Sequence, residues 1–122
     1  MKKNITIRRR VIGGQCRGKT LHYPTANLQL YPRDKIKRGV WAAKVGIAGR
    51  KYLGIVYVGA PVTFDDQVEK IEVYIFNYRG CLYGKIIQVS LVKWLRGVRK
   101  FSGKEELVKQ IREDCNEVVG FR

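Results

Sequence analysis

With 122 residues, 45% of them hydrophobic, the chain is long enough for one packed domain and too apolar for a disordered polymer. Its 25 basic against 10 acidic residues leave a net charge of +15, which favours polyanionic partners without choosing among nucleic acid, phosphorylated metabolites and anionic lipid. A single histidine, His22, and three cysteines with no CxxC or Cys/His spacing argue against a zinc site, a histidine triad and a disulfide framework. The thiols are therefore expected to be reduced.

In chain order, residues 1–10 are basic but lack the apolar run of a signal peptide, and no later window is apolar enough to span a membrane. These observations predict a soluble, cytoplasmic protein with no membrane partner. Gly13-Gly-Gln-Cys-Arg-Gly18-Lys19-Thr20 satisfies the phosphate-binding pattern GxxxxGK[ST], in which glycines let backbone N–H groups curl round phosphates and the lysine supplies charge. Pro24 falls where the helix of such a loop should run, and proline inside a helix costs about 3 kcal/mol. The stretch is therefore expected to be a cationic flap over phosphates, not a nucleotide-binding loop of the strand–loop–helix kind.

From Trp41 to Leu95 the pattern is β. Trp41–Ala48 and Lys51–Val58 are apolar runs joined at Gly49-Arg50, which predicts a hairpin. Residues Glu69 to Tyr78 alternate, with Ile71, Val73 and Ile75 on one face and Glu72, Tyr74, Phe76 and Tyr78 on the other. Arg79-Gly80 then turns the chain into a further run, Cys81 to Leu95. Short strands with glycine-marked turns predict an antiparallel barrel or sandwich. One helix is expected after it: Ser102 and Glu105 have capping-box spacing, and Leu107, Ile111, Cys115 and Val118 form an apolar stripe that would pack on the outside of the β unit.

Pro24-Thr25-Ala26-Asn27 behind a glycine-rich stretch resembles the signature of the riboflavin kinase family. The similarity continues in order through Arg38–Ala42, Gly59–Phe64, Ile71–Phe76, Leu82–Gly84, Leu95-Arg96, Lys100–Ser102 and Glu105–Asp114. It implies one domain over residues 1–122, a mainly β, six-stranded antiparallel Greek-key β-barrel with a C-terminal α-helix. The implied activity is phosphorylation of riboflavin by ATP, with FMN and ADP as products and Mg2+ or another divalent cation as cofactor. Thr25 and Asn27 inherit the metal–nucleotide role, Gly13, Gly18 and Lys19 line the nucleotide phosphates, and Glu72 aligns with the catalytic carboxylate. Arg96, Arg99 and Phe101 would meet the flavin. Bacterial relatives usually carry a fused FMN adenylyltransferase, so a chain of this length, if complete, is expected to stop at FMN and to act as a monomer.

These roles are chemically coherent. Magnesium is commonly held by one or two protein oxygens plus phosphates and waters, and phosphoryl transfer needs an aligned hydroxyl and a base to take its proton. Two other readings compete. A basic nucleic-acid-binding barrel would use Arg8, Arg9, Arg10, Arg17, Lys19, Lys35, Lys37 and Arg38, but it leaves Thr25, Asn27 and Glu72 without a task. A non-catalytic flavin-binding regulator would share the kinase's residues. Nucleic acid is not expected as a partner despite the net charge of +15, and any binding of DNA or RNA is expected to be weak and steeply salt-dependent.

Overall fold

Alternation of apolar and polar residues places one side of each strand in a common core, and β5 shows this most plainly. In the computed structural model, which describes residues 5–14, 24–59, 69–97, 109–110, 112–114 and 116–117, β5 spans Lys70–Ile75. Its Ile71, Val73 and Ile75 are fully buried, while Glu72 and Tyr74 are half-buried on the opposite side. The other strands are β1 (Ile5–Arg10), β2 (Thr25–Leu28), β3 (Gly39–Ile47), β4 (Arg50–Gly59) and β6 (Ile86–Arg96). A 3-10 turn, Pro32–Asp34, lies between β2 and β3.

All six strands pair antiparallel in one sheet of order β1-β6-β3-β4-β5-β2. Only β3–β4 and β4–β5 join sheet neighbours, so the other connections cross between strands in Greek-key fashion. The sheet curls, and the chain leaving β1 reaches β2 at its other edge. There Ile12 N–H donates to the Asn27 carbonyl at 2.9 Å and Asn27 N–H donates to the Gly13 carbonyl at 2.9 Å. This bridge satisfies backbone groups that an edge strand would otherwise leave unpaired.

Inside the curl lie Ala43, Val45, Val56, Val58, Val73, Val89 and their neighbours. A second, smaller cluster on the outer face contains buried Val40, Ala42, Ile55 and Phe76, flanked by Leu53, Tyr57, Tyr74 and Leu95. Described positions 109–110, 112–114 and 116–117 are helical. The capping pair Ser102 and Glu105 and the stripe Leu107, Ile111, Cys115 and Val118 lie outside the described residues or side chains.

Three local expectations are corrected. The β3–β4 turn falls one residue earlier than predicted: Ile47 faces Arg50, and the two central residues, Ala48 and Gly49, have φ of +50° and +82°. That is the left-handed geometry that lets a two-residue hairpin follow the strand twist. β5 stops at Ile75 and the chain turns at Asn77, whose φ is +62°, so β6 begins only at Ile86. Cys81, in the intervening loop, is disulfide-bonded, contrary to the reduced thiols expected. Among the described residues no helix is long and apolar enough to cross a membrane.

Alanine is poorly suited to the left-handed region, which costs a non-glycine residue roughly 1–2 kcal/mol, whereas asparagine is enriched there and Asn-Gly favours this turn. Ala48→Asn should stabilise the protein by about 0.5–1 kcal/mol, measured as a higher urea midpoint with an unchanged denaturant slope. An unchanged or lower midpoint would contradict the turn geometry.

Candidate functional site

Register assembles the site. Opposite residues in antiparallel strands share a face, and the pairs Asn27–Glu72, Glu72–Tyr57, Tyr57–Val40 and Val40–Arg96 continue from β2 through β5, β4 and β3 to β6. One row across five strands therefore carries an amide, a carboxylate, a phenol and a guanidinium. The adjacent row adds Thr25 opposite Tyr74 and Tyr74 opposite Ile55. The rings of Tyr57 and Tyr74 meet edge to face, 5.5 Å between centroids.

At the β2 end, Ala26 and Leu28 point into the core, which turns Thr25 and Asn27 to the outer face. Thr25 is buried, and Asn27 Oδ1 is buried with no hydrogen-bond partner among the described residues. A buried carbonyl oxygen left unpaired costs about 1–3 kcal/mol unless something else meets it. Above this pair passes the glycine segment. A Cβ at Gly14 would stand 2.1 Å from the Thr25 carbonyl oxygen, and its φ of +132° also demands glycine. The stretch leads into strand β2, as Pro24 predicted, and not into a helix.

Glu72 lies mid-row. Burial pushes its carboxyl above the ordinary carboxylate range, partly offset by the field of Lys70 and a hydrogen bond from Tyr74. Tyr74 and Phe76 share its outer face, as the alternation predicted, and Tyr57 of β4 adds a neighbour that the alternation did not give, whereas Tyr78 packs against the main core.

Arg96, at the opposite end, is not an open cation. Its Nε donates to Asp114 Oδ1 at 2.9 Å and its Nη2 to Asp114 Oδ2 at 2.6 Å. Tyr57 Oη donates to the same Oδ2 at 3.1 Å, and Gln110 Nε2 donates to Oδ1 at 3.1 Å. Asp114 is 1% exposed. This fork of charged hydrogen bonds fastens the helix to the outer face. Tyr57 and Asp114 were missed from the sequence, although Leu107, Ile111, Asp114 and Val118 also recur at helical spacing and put a carboxylate on the apolar stripe.

Gly13, Thr25, Asn27 and Glu72 are thus brought together, with Arg96 at the far end of the row. Gly18, Lys19, Arg99 and Phe101 lie outside the described residues. No group of three His, Cys, Asp or Glu side chains that could hold a metal occurs among the described residues. The unpaired oxygen of Asn27 beside Thr25 suits a hard divalent cation that takes few protein ligands.

These features define a small antiparallel β-barrel with a row of polar side chains on its outer face. The chain belongs to the riboflavin kinase family: the family described as "Flavokinase: Riboflavin kinase" matches residues 1–121. It is 36% identical over 118 residues to a bifunctional riboflavin kinase/FMN adenylyltransferase of Listeria monocytogenes, covering 95% of this chain and 38% of the relative. A solved structure described as a macrolide-efflux protein from Streptococcus pneumoniae is 35% identical with a TM-score of 0.76, covering 93% of this chain and 38% of that one. Riboflavin kinase from Trypanosoma brucei shares the fold, with a TM-score of 0.62 at 18% identity, over 98% of this chain and 80% of that one. The chain thus spans about two fifths of the bacterial relative.

Removing one partner of a buried ion pair strands the other's charge and costs about 3–5 kcal/mol. Asp114→Asn should therefore lower stability by about 3 kcal/mol in urea denaturation. The double variant Arg96→Met/Asp114→Leu, which removes both charges, should recover most of that loss. Equal destabilisation in both variants would contradict the account of the pair.

Proposed function

We propose that residues 1–122 act as one barrel domain that transfers the γ-phosphoryl group of ATP to the ribityl hydroxyl of riboflavin, yielding FMN and ADP. The observation that carries this reading is the half-buried carboxylate of Glu72 directly opposite Asn27, whose Oδ1 is buried and unpaired among the described residues. In the proposed reaction the hydroxyl oxygen forms a bond to Pγ, the bond from Pγ to the ADP oxygen breaks, and Glu72 accepts the hydroxyl proton. Thr25 and Asn27 would hold a divalent cation through their side-chain oxygens. When bound, the cation neutralises charge on the transferred phosphoryl group.

The remaining roles follow the same reading. The backbone of the glycine segment, with Gly13 at its start and Gly18 and Lys19 further on, receives the nucleotide phosphates. Arg99 and Phe101 meet the flavin, and Arg96 borders it while holding Asp114. Burial of Glu72 supports its role as a base, because desolvation raises the affinity of a carboxylate for a proton toward the working pH.

Two experiments test these assignments. Glu72→Gln keeps size and hydrogen bonding but takes no proton at neutral pH. Its kcat for riboflavin phosphorylation should fall by about 10²–10⁴-fold with dissociation constants nearly unchanged. The parent's kcat/KM should lose activity below an apparent pKa above the ordinary carboxylate range, and the variant should lose that limb.

The same raised value carries a stability signature. The folded state holds its proton to higher pH than the unfolded state, so this contribution is fully present below the ordinary carboxylate range and is lost as pH rises through the raised value. Glu72→Gln should thus stabilise the unliganded protein at neutral pH but not at acid pH. Near-normal turnover by the variant, with chemistry rate-limiting, would overturn the base assignment. The second experiment replaces Thr25 or Asn27 with Ala: calorimetry should show at least about tenfold weaker magnesium-dependent ATP binding, equivalent to about 1.4 kcal/mol, and unchanged affinity in both would remove the cation assignment.

A further inference from the structure

The large positive charge is not spread evenly over the sheet. Strands β1, β6, β3 and β4, which are consecutive neighbours, carry eight Arg and Lys side chains and no Asp or Glu. On their outer face, register aligns Arg8, Gln88, Gly46 and Lys51 in one row, and Thr6, Ser90, Lys44 and Leu53 in the next. Arg8, Lys44, Lys51 and Gln88 are exposed, and none of the three cations has an ion-pair partner among the described residues. Gly46 contributes no side chain, so this face dips into a recess of about 240 Å³ bounded by Lys44, Lys51, Gln88, Ser90 and Val92.

We infer that this recess and its flanking cations form a docking site for the phosphodiester backbone of single-stranded nucleic acid, separate from the candidate active site. Along β3 the recess at Gly46 lies six residues from Val40 of the site row, roughly 20 Å at the rise of an extended strand. Arg8 and Lys51 stand three strand spacings apart, roughly 14 Å, which is more than one phosphate group spans. A polymer of phosphates reaches all three cations, while the amide of Gln88 and the hydroxyl of Ser90 offer hydrogen bonds to sugar and phosphate oxygens between them.

The chemistry of the face selects among polyanions. No aromatic side chain lies in these two rows, so the contacts fall on phosphate and sugar and the site binds without reading sequence. No Trp or Tyr is offered there to a bilayer interface. The cations flank a hollow, which accepts a phosphate projecting from a strand more readily than the plane of a membrane.

Fluorescence anisotropy with a labelled oligouridylate of about 12 nucleotides, within the usual site sizes of such surfaces, tests the inference on the full chain. Binding should be in the range of about 10⁻⁴–10⁻⁶ M typical of backbone contacts, and the three cations alone supply a slope of log K against log salt of about −2. Lys44→Glu/Lys51→Glu should weaken binding by at least about tenfold and make the slope shallower by about 1.4. Arg33→Glu/Arg79→Glu, exposed cations off this face with the same change in net charge, should change it less than about threefold. Thermal midpoints of both pairs should match the parent, confirming that the fold is intact. Equal losses in the two pairs, no binding by the parent, or Lys44- and Lys51-dependent binding to phosphatidylserine vesicles without binding to the oligonucleotide would each overturn the proposal. None of these outcomes depends on riboflavin phosphorylation.

Discussion

Two backbone hydrogen bonds, from Ile12 N–H to the Asn27 carbonyl and from Asn27 N–H to the Gly13 carbonyl, tie the chain leaving β1 at one end of the six-stranded sheet to β2 at the other. They also set the height at which the glycine segment crosses β2. Because the chain runs this close, Gly14 has no room for a Cβ, and Thr25 and Asn27 are covered from above while remaining on the outer face. The bond pattern that completes the curl is therefore the one that roofs the site. Stability and site geometry share a single constraint here, so a disturbance at Gly14 reaches both.

Across the sheet from that closure, two half-buried ionisable groups are treated in opposite ways. Arg96 is met by both carboxylate oxygens of Asp114, itself held by Tyr57 and Gln110, and every part of this arrangement serves to fix the helix. Glu72, two strands from Val40 in the same row, has no cation within such a fork and is pushed toward its protonated form by burial. A fold gains nothing from leaving a carboxylate desolvated, and a cost that its neighbours offset only in part concentrates where chemistry is done. The unpaired Oδ1 of Asn27 beside it is a second cost of the same kind. Together they separate the part of the row that holds the protein together from the part available to a ligand.

Much of this was legible in the sequence because a period of two is a strong signal. The alternation around Glu72 identified both faces of β5, and Pro24 excluded a helix behind the glycines. The β3–β4 turn was misplaced by one residue because Ala48 carries none of the side-chain chemistry that marks a left-handed position. Tyr57 and Asp114 escaped notice for a different reason: they are 57 residues apart and only the paired register of four strands and the docked helix brings them together. Cys81 could not be assigned to a disulfide from spacing, since an odd number of cysteines suggested free thiols. The recess beside Gly46 depends on cross-strand neighbours and had no linear signature at all.

The most direct measurement is incubation of the purified chain with riboflavin, ATP and magnesium, with flavins and nucleotides resolved by chromatography. The account predicts that FMN and ADP appear in equal amounts, that neither forms when magnesium is withheld, and that FMN is not converted further by this domain. Flavin recovered as unchanged riboflavin, from protein shown by calorimetry to bind both riboflavin and ATP, would contradict the central claim and leave a flavin-binding barrel without the phosphoryl transfer proposed for it.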